Sequence, residues 1–325
     1  MSFVLAAVLC LSAIHLKLVP AITSVHAAVG AQYQGPPPPD QGSDPAMVNQ
    51  AAPSGPSYTT EAPPPDQGAP PDQNPEDSGY APQPIATAPD APPPLPDYDQ
   101  PPPPADGYIW TPGYWAWSPR GYYWVPGAWV EPPYMGALWT PGYWGFYGSR
   151  YMFYPGHWGL HIGFYGGINY GFGYLGFGYE GGYWNSGRFF YNRAYNHINE
   201  RVVHNVYEYH APARGYNAPR GNFDQHNNNA PRGNYDPHTS YRGGPSGVAS
   251  RPQPSEGAAW HEPTAPRMNT QVQHEQKYSS ARGQYSNQNH GQPPSPAINK
   301  PIPADRNVKP QPQSHGGGRS DDHHH

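Results

Sequence analysis

The sequence predicts a mostly disordered chain with one small all-β region, an antiparallel aromatic β-meander of short strands joined by Pro-Gly turns. Three observations predict it. The chain of 325 residues carries 48 Pro and 38 Gly, with only 36% hydrophobic residues. Such a composition cannot repay backbone entropy by burial over most of its length. Nine of the ten Trp fall between residues 108 and 210. Within that stretch the unit W-x-P-G-x-W recurs at a nearly constant step, which marks an internal repeat.

Residues 1–27, "MSFVLAAVLCLSAIHLKLVPAITSVHA", read as a signal peptide. The apolar run is too short to span a bilayer and small residues follow it. The only cysteine, Cys10, lies inside this leader, so the exported chain is expected to have neither a disulfide nor a Cys nucleophile. Residues 28–107 read as a disordered, acidic, proline-rich spacer. Between residues 32 and 107 stand 24 of the 48 prolines and eleven Asp or Glu, with no Lys or Arg. "PPPPDQG" at Pro36 and "PPPDQG" at Pro63 are degenerate copies of one another. Proline runs favour extended polyproline II without internal hydrogen bonds.

Residues 108–210 form the Trp/Tyr/Gly-rich β-repeat region. They hold 34 aromatic residues against 14 Val, Ile, Leu and Met, so any core there is built from rings. The motif starts at Trp110, Trp124, Trp139 and Phe153, steps of 14, 15 and 14 residues, and ends at Trp115, Trp129, Trp144 and Trp158. Pro followed by Gly is a type II turn signature, and the flanking Trp, Tyr and Val favour strands. The reading places a turn at each of Pro112-Gly113, Pro126-Gly127, Pro141-Gly142 and Pro155-Gly156. The two aromatics of one motif then clasp across it on a common face. A tight Pro-Gly hairpin has the wrong twist, which leaves a longer loop with an offset pair as the alternative. "SPRG" at Ser118, "EPPYMG" at Glu131 and "FYGSR" at Phe146 supply the intervening turns, for up to eight strands. Beyond them, residues 160–164 and 168–174 alternate with period two and read as strands. A strand is expected near 188–192 and another near 201–207, with a helical turn as an option between them. Residues 211–325 read as a disordered Asn/Gln/Arg/His/Pro-rich tail containing "NAPRGNFDQH" and "NAPRGNYDPH".

These residues resemble the YXWGXW-repeat family, also called WXXGXW-repeat proteins. The motifs that carry the resemblance are "YIWTPGYW", "YYWVPGAW", "LWTPGYWG", "YPGHWGLHIGFYGGINYGFGY" and "GRFFYNRAYNHIN", with "NQNHGQPPSPA" in the tail matching more loosely. Ala137 and Phe153 depart from the pattern. The resemblance implies an exported bacterial protein, and no catalytic residue carries over from it.

Chemistry is sparse. "GFGYLG" at Gly171 has the form G-x-G-x-x-G, but no helix can follow it and rings crowd the loop, so a nucleotide site is not expected. Carboxylates in the aromatic region are Glu131, Glu180, Glu200 and Glu208 only, and the expectation is no enzyme. His157 and His161 are too far apart along a strand to share an ion, and neither metal nor cofactor is expected. Nucleic acid is not an expected partner, and no transmembrane helix is expected in the mature chain. The function expected is that of a non-enzymatic exported structural or interaction protein of the envelope or surface. It would reside in the periplasm, at the cell surface or outside, and meet an envelope component, a glycan or itself. The alternative is a polysaccharide-binding module whose exposed Trp and Tyr faces stack on sugars.

Overall fold

In a computed structural model of the chain, residues 49, 83–211 and 236–312 are described. The leader, the spacer up to residue 82 apart from Asn49, and residues 212–235 and 313–325 of the tail lie outside them.

The strands are short and alternate with turns. They are β1 (Ala86–Ala88), β2 (Ile109–Thr111), β3 (Tyr114–Ser118), β4 (Gly121–Val125), β5 (Ala128–Val130), β6 (Leu138–Thr140), β7 (Tyr143–Tyr147), β8 (Arg150–Tyr154) and β9 (His157–Gly159). There follow β10 (Asn169–Gly171), β11 (Tyr174–Leu175), β12 (Gly182–Asn185), β13 (Arg188–Asn192), β14 (Val206–Tyr207) and β15 (Tyr241–Arg242). The last part holds α1 (Pro254–Ala259), β16 (Ala265–Pro266), α2 (Asn269–Ser279) and α3 (Ser286–Asn289). They form six small sheets, with orders β1-β8-β7-β15, β16-β9-β6, β12-β13-β14, β10-β11, β2-β5 and β3-β4. All pairings are antiparallel except β13 with β14 and β15 with β7.

Two motifs together make one long hairpin, interrupted halfway. In the first unit β3 pairs with β4 around the tip at Ser118–Gly121, and β2 pairs with β5 below it. Pro112-Gly113 and Pro126-Gly127 lie side by side between the two ladders. The second unit repeats this with β7/β8 above and β6/β9 below. The Pro-Gly pairs are therefore not hairpin turns. None of Gly113, Gly127, Gly142 and Gly156 has a positive φ, whereas Gly121 and Gly148, at the tips, do. Proline lacks the N–H that a continuous ladder requires at that point, so each strand breaks there and restarts in another sheet.

Pairing differs from the expectation accordingly. Trp110 faces Trp129, Trp115 faces Trp124, Trp139 faces Trp158 and Trp144 faces Phe153. The clasp joins two motifs, not the two ends of one.

Three further expectations are corrected. Residues 160–164 form no strand, and the period-two run at 168–174 is a hairpin of β10 and β11 that turns at Phe172-Gly173. The strand expected near 201–207 is only Val206–Tyr207. The bounds 108–210 are also too narrow for the described residues. Residues 83–107 pack against the repeats, and the tail carries α1 and α2. The strand expected near 188–192 is β13.

Candidate functional site: the paired tryptophan repeats

Each motif glycine marks a place where a ring lies on the backbone. A Cβ on Gly127 would stand 2.7 Å from Trp110 Cζ2, and one on Gly113 would stand 2.3 Å from Trp124 Cζ2. In the second unit the distances are 2.4 Å from Gly156 to Trp139 Cζ2 and 2.9 Å from Gly142 to Phe153 Cζ. The first aromatic of each motif thus covers the glycine of its partner motif. This reciprocal contact explains why Gly follows Pro: a side chain there would displace an indole.

The ring pairs are close and angled. Centroids lie 5.4 Å apart for Trp110–Trp129, 5.2 Å for Trp115–Trp124, 5.1 Å for Trp139–Trp158 and 5.2 Å for Trp144–Phe153. Interplanar angles run from 45° to 71°, within the tilted and edge-to-face range that ring quadrupoles favour. Two rings outside the motifs link the pairs of the first unit. Trp110 meets Phe172 at 5.6 Å, Phe172 meets Tyr98 at 5.1 Å, and Tyr98 meets Trp124 at 6.0 Å.

The two units are joined by specific contacts. Tyr114 stacks on Phe153 at 5.4 Å and 9°, and Tyr122 meets Trp144 edge-on at 5.2 Å. Trp144 Nε1 donates to Trp115 O at 2.7 Å. The Tyr174 hydroxyl sits 3.1 Å from Trp110 O and 2.9 Å from Trp139 O, bridging equivalent residues of the two units. Burial pushes the Tyr143, Tyr165 and Tyr174 phenols well above their ordinary range, so they stay protonated, and Tyr165 and Tyr174 donate to backbone carbonyls.

Proline-rich flanks accept three of the motif indole N–H groups, while the buried Trp110 Nε1 has no partner among the described residues. Trp115 donates to Pro94 O (3.1 Å), Trp129 to Pro101 O (2.6 Å) and Trp124 to Pro296 O (2.9 Å). A proline carbonyl in an extended segment has no ladder partner and is therefore free to accept. Trp158 donates to Gln271 Oε1 on α2 at 2.9 Å. Glu275, also on α2, accepts from the Tyr114 and Tyr123 hydroxyls and pairs with Arg267.

All eight motif aromatics are buried, none more than 5% exposed. They form no exposed planar row. Residues 106–130 match the family model of the WXXGXW repeat in two copies. The chain carries the WXXGXW repeat. The matched stretch is the first hairpin unit, and residues 138–159 reproduce its pairing in the second. No curated protein and no solved structure matches the chain.

The other sequence candidates fall apart in space. His157 is buried against the Trp260 ring at 5.1 Å, and burial lowers it to about 4, while His161 pairs with Glu262 at 2.8 Å. Glu180 is buried in the loop between β11 and β12. Among the described residues no group of three or more His, Cys, Asp or Glu is placed to hold a metal, and no helix is long and apolar enough to cross a membrane. Residues that sequence reasoning missed are Tyr98, Phe172, Tyr174, Pro94, Pro101, Pro296 and Gln271. The sequence signal of all but Gln271 is proline or aromatic content, which the chain carries in abundance, and Gln271 carries none.

Proposed function

We propose that this WXXGXW-repeat chain is a non-enzymatic, exported structural or interaction protein of the cell envelope or surface. The observation that carries the reading is the burial of all eight motif aromatics in reciprocal pairs. Rings committed to one another's glycines and to proline carbonyls build a rigid scaffold. They offer no face to a ligand and no reacting group to a substrate. The leader read at residues 1–27 supports export, and the acidic arm and aromatic body fit assembly within the envelope.

The polysaccharide-binding alternative loses the residues on which it rested, because stacking on a sugar needs an accessible ring face. Only partly exposed rings such as Trp117 and Trp184 remain for it.

Expression of the full chain with its leader, followed by fractionation, tests the reading. The chain should leave the cytoplasm, lose its leader and sediment with envelope material. Retention in the cytoplasm with the leader attached would defeat it. Titration of Trp fluorescence with soluble chitin, cellulose and peptidoglycan fragments should give no saturable shift. A saturable shift would instead favour the sugar-binding module.

A further inference from the structure

Residues 295–306 form a strap laid along the outer edge of β5 as an added strand. Gly127 N–H donates to Pro296 O at 3.0 Å, and Ile298 N–H donates to Gly127 O at 2.9 Å. Further along β5, Ile302 N–H donates to Trp129 O and Glu131 N–H donates to Ile302 O, both at 2.9 Å. These bonds pair Ala297 with Gly127, and Ile302 with Val130, in parallel. The strap takes five steps where β5 takes three, and the intervening Asn299 and Lys300 are exposed.

Side chains complete the seat. Trp124 Nε1 donates to Pro296 O at 2.9 Å. The side chain of Gln284 donates to Ser295 O at 3.0 Å and accepts from Ser295 N–H at 3.2 Å. At the far end Glu131 accepts from Ala304 N–H at 3.2 Å and pairs with Arg306, while Thr270 on α2 donates to Pro303 O at 2.9 Å. Ile302 is buried against the core. The seat therefore reads an extended main chain, one apolar anchor and one cation, which is recognition by strand addition.

The strap leaves the rest of the tail through a strained hinge. α3 ends at His290, whose φ is 54°, and Gly291 follows at 85°. Left-handed backbone is costly for a residue with a Cβ such as histidine. Pro293 and Pro294 then prevent the helix from continuing. A short hinge under strain favours exchange of the element beyond it, because that element keeps its contacts on a second copy while the hinge relaxes.

We propose that the outer edge of β5, completed by Trp124, Gln284 and Glu131, is a seat for the strap of a second copy of this chain, the two copies trading residues 295–306 about the hinge at 290–294. The observed contacts select this occupant. The seat already fits this segment in its main-chain register, its Ile302 anchor and its Glu131–Arg306 charge pair, and every copy carries the same segment. Two copies joined in this way close on one another with twofold symmetry. The attached strap competes at a local concentration of about a millimolar, so exchange rises as the protein concentration approaches that range. The inference adds a partner to the scaffold reading and does not depend on export.

The test uses the full chain with Cys10→Ser, which removes its only cysteine. Val130→Cys is placed in one chain, Ile302→Cys in another, and both in a third. The third chain, oxidised at low concentration, should close a disulfide within itself, and failure to do so would overturn the pairing of strap and seat. The first two, unfolded and refolded together at high concentration under oxidising conditions, should give a covalent heterodimer. Its yield should exceed by at least about tenfold that of the Ile302→Cys chain refolded with an Ile85→Cys chain. Ile85 is exposed and bonds to Phe153 of the second unit, so a strap reaches it only by random collision. A yield no higher than this control would overturn the exchange. His290→Gly, added to both chains, accepts the left-handed backbone without strain and should lower the heterodimer yield several-fold. An unchanged yield would overturn the hinge. These readouts are made on purified chain, so they stand or fall separately from the envelope fractionation.

Discussion

Gly127 is constrained by what lies on it. A Cβ at this position would meet Trp110 Cζ2 at 2.7 Å, Gly113 N at 3.0 Å and the Tyr98 hydroxyl at 3.1 Å. Two of these neighbours are a packed indole and backbone, neither of which yields readily. Gly127→Ala should therefore destabilise the chain by about 1–3 kcal/mol. At Gly163 the nearest atom to a Cβ is the His157 ring at 3.4 Å, an ordinary contact, so Gly163→Ala should fall within about 0.5 kcal/mol of the parent. Thermal melts of the pair check the contrast, and equal melting would remove the reciprocal ring-on-glycine contact from the account. Two buried titratable groups act at the same scale with opposite signs. Burial lowers His157 to about 4, so its folded state binds the proton less readily than the unfolded chain. Its contribution is complete above about pH 6.5 and is lost as pH falls toward 4, a change of roughly 3 kcal/mol. His157→Phe should flatten that acid limb. Burial raises Glu256 to about 8. Stability from this group is complete below about pH 4.5 and declines as pH rises through 8. Glu256→Gln retains an acceptor for the Gln253 N–H and should stabilise the chain at pH 7 by on the order of 3 kcal/mol. Melts from pH 4 to 9 read both slopes, and a parent-like pH profile in either variant would refute the corresponding assignment.

Among the elements, the motif steps acquire different meanings. The 14-residue step from Trp110 to Trp124, and again from Trp139 to Phe153, is set by the register of one hairpin. The 15-residue step between units is set only by the connection from β5 to β6. A residue inserted after Tyr123 should turn Trp124 to the other side of β4 and break its pairing with Trp115, because side chains alternate strictly along a strand. The cost should approach that of removing the ring, about 3–5 kcal/mol. A glycine inserted after the exposed Met135 should cost less than about 1 kcal/mol. Denaturant midpoints compare the two insertions, and equal costs would contradict the register. The existence of the repeat, its β character and the tip turns at Ser118 and Gly148 were legible in the sequence, because strand propensity and turn chemistry are local. The partner of each Trp was not. Pro followed by Gly is consistent with a turn and equally with two facing strand breaks, and only the approach of the second motif distinguishes them. Burial of the motif rings was similarly hidden, since the same rings suit a core or a sugar platform.

At the scale of the whole molecule, composition separates chain that the fold brings together. Residues 83–107 and 236–312 are rich in proline and polar residues, and nothing in their hydropathy marks them as part of a core. They are bound to it because aromatic rings need what prolines supply. Buried indoles carry a donor that strands of the same unit cannot meet, and extended proline segments carry unused carbonyls. Without the flanks, Trp115, Trp124, Trp129 and Trp158 would lose Pro94, Pro296, Pro101 and Gln271 as acceptors. The edge of β5 would lose its contacts with Ile302, and β9 would lose β16. An unmet buried donor costs about 1–3 kcal/mol, and four such losses rival the whole stability of a small domain. A fragment of residues 108–210 should therefore lack a cooperative melt, with its indoles uniformly open to acrylamide. A fragment of residues 83–312 should melt cooperatively and shield most of them. A cooperative melt of the shorter fragment, with its indoles equally shielded, would show that the rings suffice alone and that the proline segments merely lie against a finished core.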